Sequence, residues 1–204
     1  MWLGHMEIPL TRHLASFCIE LHYEGLRREV VDRATYFFLD YLGVAVRGSL
    51  SDSSQPLYRI AQTLAPEGSG TVLGRAQKTT FPYAALANGT AAHSLELDDT
   101  HQGGSIHLGV SVFSAALAMA ESIGASGKEF LTASVAGFDV AARIAMALKP
   151  ADHYARGFHP TATCGTFGAA ASAARLLNLN EVQFLSALGI AGSQSAGSME
   201  FLAA

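Results

Sequence analysis

The chain has 204 residues, half of them hydrophobic and only 15% charged, with a formal net charge of −4. An average soluble domain is roughly 25% charged, so this composition describes a compact, well-buried domain and argues against disorder. There is no basic run to mark a nucleic-acid binder, and no stretch of about 18 consecutive apolar residues to mark a membrane span.

The first ten residues, MWLGHMEIPL, lack the basic n-region and long apolar core of a secretory signal. They read as an extension ahead of a domain over 11–204. Cys18 and Cys164 are far apart and lack metal-type spacing, so no disulfide framework follows and a reducing cytosol is the default compartment.

Helical periodicity runs through almost the whole chain. Leu14, Phe17, Cys18 and Leu21 fall at i, i+3, i+4 and i+7, which predicts a helix capped by Thr11 and stopped at Gly25. Val31, Ala34, Phe38, Tyr41, Leu42 and Ala45 predict a longer helix ending at Gly48, followed by the loop SLSDSSQP. A short helix over 57–64 comes next, closed by APEGSG, and TVLG is the one strand-like piece. From Phe81 a helix runs to about Ser94.

The apolar, Ala-rich segment 109–123 predicts a helix stopped by Gly124. Ser126 and Glu129 have capping-box spacing and open a helix to about Leu148, before Pro150. ADHYARGF reads as a loop. Pro160 suits the first turn of a helix to Leu177, where a missing N–H costs nothing, and Asn180 caps a last helix from Glu181. The faces rich in Ala and Gly, such as GTFGAAASAA, allow close helix approach. The expected fold is therefore an all-α, tightly packed multi-helix bundle.

Against this plain background, HSLELDDTHQGGSIH concentrates His93, Glu96, Asp98, Asp99, His101 and His107. Three readings are open. The group could ligate a divalent metal, although no spacing such as H-E-x-x-H is present. Asp98 or Asp99 could simply cap the helix that follows. Or the groups surround a pocket in which a histidine, titrating near neutral pH and oriented by a carboxylate, exchanges a proton with a ligand. The adjoining glycine pair would then let backbone approach that ligand.

A second stretch, ARGFHPTATCG, gathers Arg156, His159, Thr161 and Thr163 at a helix start, where free N–H groups and the helix dipole attract an anion. Arg156 could grip a carboxylate in a bidentate fork. The alternative is that His159 and the threonines only cap the helix. Taken together, the two stretches describe a site for a small carboxylate.

These stretches carry a resemblance. ANGTAAHSLELDDTH, HLG, GFDVAARI and RGFHPTATCGTFGAAASAARLLNLNEVQFLSALGIAGSQSAGSME resemble the MmgE/PrpD family, which includes 2-methylcitrate dehydratase, cis-aconitate decarboxylase and iminodisuccinate epimerase. The resemblance implies a helical domain holding most of an active site, a lid domain, and no metal or organic cofactor. It also implies a homodimer and a reaction on small di- or tricarboxylates. His107 and His159 match active-site histidines, and Thr100 the threonine of the DDT segment. Glu96 stands where members often have Asp, and HLG where they have HPS or HPG.

On this basis His107, His159, Asp98, Asp99 and Thr100 are expected to be catalytic. Glu96, His101, Arg156 and Thr161 are expected to bind substrate. The family's lysine segment and lid would follow SME, so the sequence is expected to be an incomplete or split enzyme needing a lid partner. The alternative is a non-catalytic helical remnant that dimerises or binds.

Overall fold

A computed structural model of the chain describes residues 9–200. The expected extension over 1–10 lies almost wholly outside the described residues. The described part is all-α. Its helices are α1 (Leu10–Glu20), α2 (Arg28–Gly48), α3 (Gln55–Leu64), α4 (Phe81–His93), α5 (Gly109–Ile123), α6 (Gly127–Ala147), α7 (Pro150–Ala155), α8 (Pro160–Leu176) and α9 (Glu181–Gln194). One two-residue hairpin, β1 (Gly70–Thr71) against β2 (Lys78–Thr79), interrupts them.

Most helix limits follow from local chemistry. Gly124 ends α5 in the left-handed conformation (φ +68°), which glycine adopts without a Cβ penalty. Ser126 and Glu129 complete a reciprocal capping box at the start of α6, and Asn180 with Gln183 does the same for α9. Two expectations are corrected. Thr11 is not a cap, because α1 already begins at Leu10 behind Pro9 and stops at Glu20, well before Gly25. ADHYA is not a loop. Pro150 sits in the first turn of α7, because the backbone reverses at Lys149 (φ +52°) and the proline can then start a new helix as well as end the old one.

The small residues set the depth of packing. α6 and α8 share the most extensive contact in the molecule. At their crossing a Cβ on Gly137 would lie 2.7 Å from the Gly168 carbonyl oxygen. A Cβ on Gly168 would lie 2.8 Å from both the Gly137 carbonyl oxygen and the Ala141 Cβ. Backbone meets backbone here, and no side chain fits between. α6 is long and apolar enough to cross a membrane. In this fold its apolar residues are core: Phe130 joins Phe113 and Tyr41 on one side, and Val140 joins Ala171 and Phe184 on the other.

The hairpin is held by a buried amide. Asn88 Nδ2 donates to the Thr71 carbonyl and its Oδ1 accepts from the Leu73 N–H, both at 2.8 Å, which satisfies a polar side chain that burial would otherwise penalise. The C-terminal segment returns to the start of α8. Phe158 bridges Ser198, the His159 N–H donates to the Gly197 carbonyl at 2.8 Å, and the Met199 N–H donates to the Gly157 carbonyl at 2.8 Å.

Candidate active site

The end of α4, the loop into α5 and the start of α8 converge. α4 delivers His93 at its last position. The chain then turns at Glu96, which takes a left-handed backbone (φ +52°), a conformation costing a non-glycine residue about 1 kcal/mol or more. That turn folds Asp98 back beneath His93. The Asp98 side chain is only 2% exposed. One of its oxygens, Oδ2, lies 3.0 Å from His93 Nδ1 and 3.1 Å from His107 Nδ1. The far edges of the same two rings meet Glu96, whose carboxylate oxygens lie 3.6 Å from His93 Nε2 and 3.7 Å from His107 Nε2.

His159, the residue before α8, completes the group. Its ring centroid is 6.2 Å from that of His93, and His93 is 4.9 Å from His107. The two sequence stretches therefore do converge: His107 and His159 flank a common imidazole. Thr161 locks them together, because its Oγ1 accepts the His107 N–H at 3.1 Å. Tyr154 lies beside His159, with ring centroids 5.9 Å apart.

Electrostatics separates the imidazoles. The hydrogen bond that His93 Nδ1–H donates to Asp98 raises His93 above the ordinary histidine value, and the charges of Asp98, Glu96 and Asp99 add to this against the cost of burial. His159 moves the other way: burial lowers it, and the neighbouring His93 and His107 lower it further. Asp99 is pushed up to about 6 by burial, only partly offset by the Gly109 N–H that donates to its Oδ1 at 2.8 Å. Asp99 thus ties down the first N–H of α5 from ten residues away, although the residue at the cap position is Leu108, while Asp98 faces the histidines.

The cluster opens onto a cavity of about 610 Å³ lined by His93, His159, Thr161, Ser94, Ser111 and Ala162, among others. Thr161 and Ala162, in the first turn of α8, line it, so an anion there would lie near the positive end of a helix. One donor atom from each of His93, Asp98 and His107 lies within 4.8 Å of the others, a spacing that could also accept a divalent cation.

Other expected site residues stand apart. His101 faces away into a separate cavity of about 470 Å³ with Arg27, Arg33, Phe37 and Phe138. Its Nδ1 accepts the Gly104 N–H at 3.0 Å inside the turn closed by the His101–Ile106 bridge, which aims the ring to the far side of the loop. The glycine pair serves that turn and its packing: a Cβ on Gly104 would lie 2.9 Å from the Ala145 Cβ. Thr100 is exposed, with no side-chain hydrogen bond among the described residues. Arg156 is exposed at the end of α7 and does not line the 610 Å³ cavity. His93 is the residue that sequence reasoning undervalued. It stood among possible metal ligands, and the available signal was its place five residues before Asp98 at a helix end.

The family model described as the MmgE/PrpD N-terminal domain matches residues 12–204. The chain is 32% identical over 197 residues to the cis-aconitate decarboxylase-like protein oryM of Aspergillus oryzae, covering 93% of this chain and 41% of that protein. It is 28% identical over 195 residues to the cis-aconitate decarboxylase of Aspergillus terreus and 30% identical over 195 residues to that of Homo sapiens, covering 93% of this chain and 40% of each. The chain thus spans about 40% of the length of these relatives.

Proposed function

The chain belongs to the MmgE/PrpD family, and from that footing we propose that it carries the acid/base part of a lyase-type site for small di- or tricarboxylates. The reaction is proton transfer at a carbon next to a carboxylate, with dehydration, decarboxylation or epimerisation as its outcome. The observation that carries this reading is the convergence of three imidazoles around one buried carboxylate, beside a helix N-terminus and a cavity.

The roles follow from the environments. His159, lowered by burial and by its neighbours, is neutral at neutral pH and suited to accept a proton. An imidazole beside Asp98 serves as the acid; by the family resemblance this is His107. As the proton leaves, negative charge grows on the substrate carboxylate. Charge of that kind is stabilised by the amides at the start of α8 and by the retained imidazolium. Thr161, Glu96 and Asp99 hold the frame, and Thr100 and Arg156 would engage the ligand only after loop movement.

The curated relatives' names supply the substrate class: cis-aconitate is a tricarboxylate. A longer parent protein with a lid, and pairing of two copies, belong to the same proposal. Gly197, Ser198 and Met199 lie against the His159 loop.

The test is proton exchange on a panel of small di- and tricarboxylates, read by NMR in D2O, for the chain alone and with a lid-bearing partner. His159→Ala in the complete enzyme should lower kcat by a factor of roughly 10²–10⁴. Near-normal turnover in that variant would remove His159 from the chemistry. Binding without any exchange would favour the non-catalytic binding module.

A further inference from the structure

The family resemblance pairs His107 with His159, yet the geometry distinguishes a different imidazole. His93 lines the 610 Å³ cavity together with His159 and Thr161, and His107 is not among the lining residues. The His93 side chain is 29% exposed against 18% for His107. Asp98 Oδ2 makes its hydrogen bond to His93 Nδ1, at 3.0 Å. His107 Nδ1 approaches the same oxygen without the alignment of a hydrogen bond and is left buried with no hydrogen-bond partner among the described residues. His107 is also pinned from behind, through its own N–H on Thr161.

We propose that His93 is the ligand-facing imidazole of this site: its Nδ1–H is held by Asp98, its Nε2–H, carried by the imidazolium, donates to the bound carboxylate opposite His159, and His107 acts behind it as a positioning residue. The inference rests on the carboxylate reading above and refines which imidazole serves as the acid. The chemistry is that of an orienting carboxylate: an acceptor on Nδ1 fixes the ring and favours its charged form, so that Nε2–H is the donor that engages the ligand. The left-handed Glu96 turn gives the arrangement its purpose, since an ordinary backbone there would not return Asp98 to the end of α4.

The experiment uses the full chain, labelled with 15N-histidine, at pH 7 with EDTA present, and citrate as the probe. Long-range 1H–15N spectra report the tautomer of each ring and its response to the tricarboxylate. The expected result is a His93 ring with its Nδ1 protonated in the free protein. On titration, the His93 and His159 Nε2 signals should move together with one apparent Kd, and His107 should move less.

His93→Asn should weaken citrate binding about tenfold or more, as loss of a charge-assisted hydrogen bond does. If His107 and His159 track citrate while His93 stays still, His93 is not the ligand-facing ring and the carboxylate reading survives. An Nε2-protonated neutral tautomer at His93 in the free protein would likewise overturn the proposal. If no ring responds to citrate, the carboxylate reading and this inference fall together.

Discussion

Asp99 is a partly buried carboxylate whose charge the fold tolerates at a cost, and Asp99→Asn measures that cost. Burial is the main cause of its rise from 3.8 to about 6, and the Gly109 N–H only partly compensates. A carboxyl group that is harder to ionise in the folded state binds more protons there than in the unfolded chain between those two values. Stability contributed by the neutral form is therefore fully present below pH 3.8 and is lost as pH rises through 6. A rise of that size corresponds to about 3 kcal/mol once the group is fully ionised. Asparagine keeps an oxygen for the Gly109 N–H and carries no charge. The variant should thus exceed the wild type by about 1 kcal/mol at pH 4.5 and about 3 kcal/mol at pH 7.5. Urea denaturation followed by circular dichroism at both pH values gives the two differences. Any fixed packing effect of the amide cancels between them. A stability gap that stays constant from pH 4.5 to 7.5 would refute the argument.

Two further substitutions probe the frame and the site. Gly168→Ala inserts a Cβ 2.8 Å from both the Gly137 carbonyl oxygen and the Ala141 Cβ, so α6 and α8 must part; a loss of about 1–3 kcal/mol in urea denaturation is expected. Asp98→Asn removes the charge that holds His93 up. The His93 ring should then titrate at lower pH than in the wild type in an NMR titration, while an unchanged midpoint would mean that Asp98 does not control it.

The bundle was legible because its signals are local. Capping boxes at Ser126 and Asn180, the stop at Gly124 and proline in the first turn of α8 each depend on a few adjacent residues. The meeting of His107 with His159 was legible only through the two motifs, since nothing in local periodicity brings residues 52 positions apart together. What spacing did not reveal depends on backbone conformation. The left-handed turn at Glu96 decides that His93 and His107 share Asp98, and the His101–Ile106 bridge decides that His101 leaves the site. In both cases a single turn, invisible to a helix-period argument, sorts neighbouring histidines onto opposite sides of one loop.

Glu96 shows how that sorting bears on function. It departs from the aspartate often found at this place in the family, and its longer arm has a geometric use: its two oxygens reach the Nε2 atoms of His93 and His107 at 3.6 and 3.7 Å. Its carboxylate is 71% exposed, so the contacts add little to stability and act instead on His93, whose charged form it favours. It raises His93 directly and offsets part of the lowering at His159. Glu96→Asp removes one methylene and withdraws the carboxylate from both rings by about 1.5 Å. Both His93 and His159 should then titrate at lower pH in an NMR titration, with the urea midpoint essentially unmoved. If instead the histidine midpoints hold and stability drops, Glu96 serves the turn rather than the imidazoles, and the left-handed backbone at this residue needs a structural explanation alone.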